Sequence, residues 1–142
     1  MIITNTGRTR IRDIILGLAT PFQTSNTYGA AGANWDDASS STFGTHSATS
    51  TALYEEIHDA TYPRPQVSTI SKPINYGIKM SVSFKDANLP PSGTDNNKKV
   101  REMGIFDNAA ANSGNLLFVG DFLPIEKESG ADIYLSLEVK IE

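Results

Sequence analysis

The feature that most constrains this chain is the two-residue period of its last stretch. Between positions 133 and 141, Ile133, Leu135, Leu137, Val139 and Ile141 fall on one side of an extended backbone, and Tyr134, Ser136, Glu138 and Lys140 on the other. A helix would scatter these residues around its axis, whereas a strand sorts them into an oily and a wet face. An oily strand face needs a second layer to cover it. The same alternation runs through residues 72–87, where Ile74, Tyr76, Ile78, Met80, Val82 and Phe84 interleave with Asn75, Gly77, Lys79, Ser81, Ser83 and Lys85. This is the longest strand expected. It should pair with a strand over 66–70 and with one from the C-terminal part.

Two more strands are expected over 100–106 and 116–123, joined as a hairpin-like pair through the connection at 108–115. Pro124 should end the second, and Glu128-Ser129-Gly130 should turn the chain into the final strand. Residues 89–99, LPPSGTDNNKK, have the composition of an exposed loop.

The N-terminal half reads differently. After a short β-prone start at 1–4, with Asn5 or Thr6 as N-cap, Ile11, Ile14, Ile15 and Leu18 recur at helical spacing until Pro21 stops the run. Arg8, Arg10 and Arg12 lie off that face, either solvated with their stems along the core edge or gripping phosphate or a neighbouring acidic subunit. Residues 51–58 suggest a second short helix, with Leu53 and Ile57 opposite Glu55 and Glu56, ended by Pro63 and Pro65. Residues 23–50 are rich in Ser, Thr, Gly, Ala and Asn, with Tyr28, Trp35 and Phe43 as their large anchors and a strand expected near 40–43. So long a polar excursion in a compact domain is usually functional, ordered by a partner or partly stranded.

The expected fold is therefore mainly β: an antiparallel β-sandwich of about six or seven strands with an N-terminal helix and a second short helix. One domain spans 1–142, with strand and helix in 1–20, the polar excursion in 23–50 and the β core in 66–142.

Composition narrows the function classes. A net charge of −4 argues against a broad nucleic-acid surface, which needs clustered excess cations. The absence of cysteine rules out disulfides, a thiol nucleophile and Cys-based metal sites. The N-terminus has interrupted apolar residues and internal arginines, unlike a secretory signal, and no run approaches the roughly 18–20 apolar residues of a membrane span, so a soluble protein without membrane insertion is expected.

Catalytic constellations are thin. His46 and His58 fit no compact ligand spacing, and surface or hydrogen-bonded roles are expected for both. Asp36-Asp37 and Asp95-Asn96-Asn97 lack the spacing of a calcium loop and read as turns. Glu102, Asp107, Asp121 and Glu126 could pair as a glycosidase-type carboxylate site, but acidic residues on wet faces and ends of strands are the ordinary case. No phosphate-binding glycine loop or nucleophile elbow is present. Neither an enzyme nor a cofactor is expected.

Several motifs point further. V-R-E-M-G-I-F-D at 100–107, N-L-L-F-V-G-D-F-L-P-I-E-K at 115–127 and the alternating final strand resemble a family of small tailed-bacteriophage virion structural domains, of the tail-fibre, collar and baseplate-periphery type. Upstream, Ile3-Thr4-Asn5-Thr6-Gly7-Arg8 followed by Ile11-Arg12-Asp13-Ile14-Ile15 is similar to the family's opening, and Phe43-Gly44-Thr45-His46 through Leu53-Tyr54-Glu55-Glu56-Ile57 to its second segment. His46 stands where the family's pattern has a glycine, and the stretch 26–41 is longer and more polar than that pattern. The resemblance implies a non-enzymatic virion component in the tail, neck or collar, an adaptor or fibre-attachment module that assembles symmetrically with copies of itself and with other virion proteins. Its candidate contact residues are Tyr28, Trp35 and Phe43 of the polar excursion together with Arg8 and Arg12. The alternative is a receptor- or carbohydrate-binding module of a tail fibre, reading host glycans through exposed aromatics such as Tyr28, Trp35, Tyr54 and Tyr62.

Overall fold

The computed structural model describes residues 1–33, 45–72, 77–91 and 99–140. In chain order they form β1 (Ile2–Ile3), α1 (Asn5–Ile15), β2 (Tyr28–Gly32), β3 (Thr69–Ser71), β4 (Gly77–Phe84), β5 (Val100–Phe106), β6 (Leu116–Ile125) and β7 (Ile133–Lys140). The strands make two antiparallel sheets, ordered β1-β6-β5-β2 and β3-β4-β7. The expected β5–β6 hairpin is present, and β4 pairs on one side with β3 and on the other with β7.

Alternation dictates which side chains meet. Met80, Val82 and Phe84 of β4 lie opposite Leu137, Leu135 and Ile133 of β7. These join Ala31, Met103, Ile105, Leu117 and Phe118 of the four-stranded sheet in one hydrophobic core. Tyr134, Ser136 and Glu138 stay exposed, as the period predicts. The four-stranded sheet is also covered on its other side. There Ala30, Phe106, Leu116 and Val119 pack with Leu53 in a second, smaller core. Burial on both faces explains why β5 and the first half of β6 read as near-continuous apolar runs.

One helix is found among the described residues, where two were expected. Residues 51–58 form bends and a bridge between Glu56 and Gly32. Their backbone groups go to β2: Ala33 N–H donates to Glu55 O at 2.9 Å and Ile57 N–H to Ala31 O at 3.0 Å. Tertiary pairing has taken the hydrogen bonds that a short, marginal helix would have made.

Helix α1 is also placed differently. Its N-cap is Thr4, whose Oγ1 accepts from Gly7 N–H at 2.9 Å and donates to Leu116 O at 2.6 Å, so one side chain caps the helix and ties it to β6. The helix ends before Pro21. Gly17 takes φ +71°, and Leu18 N–H donates to Asp13 O and Gly17 N–H to Ile14 O, the pair of bonds that closes a Schellman motif. Ile11 packs on the core while Ile15 turns outward and Leu18 lies past the helix end. Pro124 sits inside β6 rather than ending it, near a register shift of the β5 pairing at 100–102. The strand expected near 40–43 lies outside the described residues. The excursion instead supplies β2, paired along its length with β5.

Candidate functional site

The alternate positions 102, 104 and 106 of β5 face the smaller core, and each receives something different from the segment that covers it. Gly104 has no room for a side chain: an added Cβ would lie 2.7 Å from Leu116 Cδ1 and 3.0 Å from Leu53 Cδ2. Phe106 is buried beneath the guanidinium of Arg64, 3.7 Å from its ring centroid. Glu102 is fully buried, and its carboxylate accepts from Tyr54 N–H at 3.2 Å and Glu55 N–H at 2.9 Å. The carboxylate also meets His46, whose Nε2 is 2.6 Å from Glu102 Oε2. A carboxylate that accepts two backbone amides and an imidazole satisfies the buried-polar rule without a solvent contact. Gly32, opposite Glu102 in the β2–β5 register, makes the space for it, because a Cβ there would come within 2.2 Å of Glu102 Oε1.

Asp121 of β6 lies directly opposite Glu102 in the register. Like charges in that position repel, and His46 stands against both: its Nε2 is 3.7 Å from Asp121 Oδ1, and its backbone N–H donates to Asp121 Oδ2 at 3.4 Å. The imidazole Nδ1 is 3.2 Å from Ser50 Oγ, and the ring packs on Tyr54 at 4.5 Å between centroids. The donor atoms of His46, Glu102 and Asp121 all lie within 4.8 Å of one another, the one such trio among the described residues. Imidazole and carboxylate donors at this spacing suit a divalent cation. An ion there would have to break the hydrogen bond between His46 and Glu102 that now joins the covering segment to the sheet. The arrangement works first as a clamp.

A second clamp sits beside it. Arg64, buried between two prolines, makes a fork to Glu56 with Nε–Oε1 at 2.6 Å and Nη2–Oε2 at 2.8 Å. Its Nη1 donates to Asn108 O at 2.9 Å and Ser113 O at 2.8 Å, while Asn112 N–H donates to Glu56 at 3.0 Å. One ion pair thus shapes the whole β5–β6 connection. At its base, Asp107 accepts from both Asn115 N–H and its Nδ2, at 2.8 Å each.

Two more polar groups are buried. His58 Nε2 accepts from Ala31 N–H at 2.9 Å, so the ring hydrogen is on Nδ1, which donates to Tyr62 O at 3.1 Å. Burial pushes this imidazole below its usual titration range. Lys127 is buried and donates to Asp86 at 2.5 Å and to Glu128 O at 2.8 Å. The Lys127 hydrogen bond, with that from Gly130 N–H, holds the exposed Asp86 carboxyl below its usual value.

These findings correct the reading of the acidic residues and qualify that of the histidines. Glu102 is not on a wet face but at the centre of a buried network, and both histidines are interior. The available signal was a carboxylate inside the apolar run V-R-E-M-G-I-F. Of the carboxylates considered for a paired site, Glu102 and Asp121 come together, whereas Asp107 caps a turn and Glu126 pairs with Lys99 at 2.9 Å.

The candidate contact residues are dispersed. Tyr28 is half-buried in β2, its hydroxyl donating to Ser25 O at 3.4 Å. Arg8 and Arg12 lie on the exposed face of α1, and Arg12 forks onto Asp13 at 2.7 Å. Trp35 and Phe43, like Asp36-Asp37 and Asp95-Asn96-Asn97, lie outside the described residues. No helix among the described residues is long and apolar enough to cross a membrane.

No family model matches the chain, and no curated protein matches it significantly.

Proposed function

We propose that this chain is a non-enzymatic structural subunit of a tailed-phage virion, an adaptor or fibre-attachment piece in the tail, neck or collar, built on a two-layered β-sandwich. One observation carries the reading: the stretches that resemble such domains touch one another through their motif residues. Glu102, Gly104 and Phe106 of the V-R-E-M-G-I-F-D motif receive the segment at 45–57, with His46, Leu53, Tyr54 and Glu55 landing on them. Gly7 of the opening motif lies against β6, where an added Cβ would be 2.0 Å from Leu117 O. The motifs are thus the packing contacts of one fold, which is what a shared fold would require of them, and it supports extending the resemblance from letters to architecture.

Quantitative mass spectrometry of gradient-purified particles tests the function. Several copies of the chain per particle are expected, in fixed ratio to the other tail proteins. A chain abundant in infected cells yet absent from purified particles would overturn the proposal.

A further inference from the structure

Helix α1 presents to solvent the positions Asn5, Arg8, Thr9, Arg12, Ile15 and Leu16, one face at helical spacing. Its second half is apolar. Ile15 is 77% exposed, Leu16 62%, and Leu18 just beyond the helix 74%. Single exposed aliphatics are ordinary, but three within four residues form a patch, and such a patch rimmed by charge marks an interaction surface. The rim here carries arginines: Arg8 has no side-chain partner among the described residues, and Arg12, 64% exposed, is held by its neighbour Asp13 at 2.7 Å and would exchange that partner on docking.

A surface of the opposite kind lies where β6 runs into β7. Ile125, Ala131, Ile133 and Leu135 line an open cavity of about 300 Å³, and Glu126, Glu128 and Asp132 stand around it. The carboxylates of Glu128 and Asp132 have no partner among the described residues. Strand β7 is the edge of its sheet, so its outer backbone groups are unpaired by any described strand. One surface is aliphatic with arginines, the other aliphatic with carboxylates.

We infer that the α1 end of one copy docks into the 125–135 groove of a second copy, Ile15, Leu16 and Leu18 filling it while Arg8 and Arg12 meet Glu128 and Asp132. This rests on the reading above, of a self-assembling subunit, and names the surfaces that would do the assembling. Complementary charge on the two surfaces selects a copy of the same chain as the occupant, because like would repel like if either surface met itself. Contact between two different surfaces is heterologous, so it propagates and closes as a ring when the rotation allows, rather than stopping at a dimer.

The chain contains no cysteine, so introduced thiols report single contacts. The variants Leu18→Cys and Ala131→Cys, both at exposed positions, are purified separately, mixed and mildly oxidised. The mixture should give the mixed disulfide dimer in at least tenfold excess over either variant alone. Adding Arg8→Glu and Arg12→Glu to the first variant should cut that yield severalfold, and Glu128→Arg with Asp132→Arg in the second should restore it. Circular dichroism of each variant confirms the fold. Crosslinking of Leu18→Cys to itself, no crosslink in the mixture, or a yield indifferent to the charge exchange would overturn the docking. Particle composition is a separate readout: a chain found in virions whose thiols fail to crosslink would reject these surfaces and leave the virion reading standing.

Discussion

At the scale of single residues, buried polar groups pin the covering segment onto cores that Phe84, Phe106 and Phe118 fill. Glu102 is the clearest case, accepting from two backbone amides and standing against an imidazole. Glu102→Ala leaves those donors buried without an acceptor, and an unsatisfied buried group costs about 1–3 kcal/mol. Urea denaturation should show at least that loss for Glu102→Ala and a smaller one for Glu102→Gln, which keeps one acceptor oxygen. His58 makes a prediction in pH. Its folded titration point lies below the ordinary 6.5, so in acid the unfolded chain takes up a proton that the folded chain refuses. Stability contributed by neutral His58 is full above about 6.5 and declines as pH falls below it, down to the depressed folded value. Thermal melts between pH 8 and pH 5 should show that decline in the native protein, and His58→Gln, which cannot titrate, should lose that component of the slope. Neither role was legible beforehand. Glu102, like His46 and His58, acts through partners far away in sequence, and spacing carries no information about distant partners.

Elements divide into those set by local pattern and those set by tertiary pairing. Strands β4, β5, β6 and β7 were legible because one face of each, or both, must be apolar, and period two records that directly. Residues 51–58 were not: their pattern of Leu53 and Ile57 against glutamates suits a helix, yet β2 and Glu102 claim the backbone donors. The end of α1 was misplaced because Gly17, a single residue with positive φ, stops the helix before Pro21 does. Strand β2 was missed because its small residues, Gly29, Ala30, Ala31 and Gly32, look like loop composition. Close packing is what they serve, since a Cβ on Gly29 would press into Val82. Two element-scale tests follow. Gly7→Ala places a methyl against Leu117 O and should loosen α1 from β6, at a cost of about 1–3 kcal/mol, seen as faster amide exchange in α1 with the β4–β7 amides unchanged. Arg64→Met leaves Glu56 buried without its cation and should cost about 3–5 kcal/mol in denaturant titration. Adding Glu56→Leu should recover much of that loss.

At the scale of the whole molecule, the interior and the surface tell separate stories. The interior is closed: two antiparallel sheets share one core, and the covering segment is clamped to β5 at Glu102 and to the β5–β6 connection at Arg64. The surface is unfinished, with aliphatic side chains in water at the end of α1 and an acid-rimmed groove beside β7. A closed interior with two complementary exposed surfaces is what the proposed repeating subunit would need, because its fold must stand alone while its contacts join it to neighbours. The most direct measurement is a near-atomic reconstruction of the tail, neck and collar of the particle. The proposal predicts copies of this fold repeated about the tail axis, with the end of each α1 against the β6–β7 groove of the next. A reconstruction whose density is fully accounted for by other chains would contradict it.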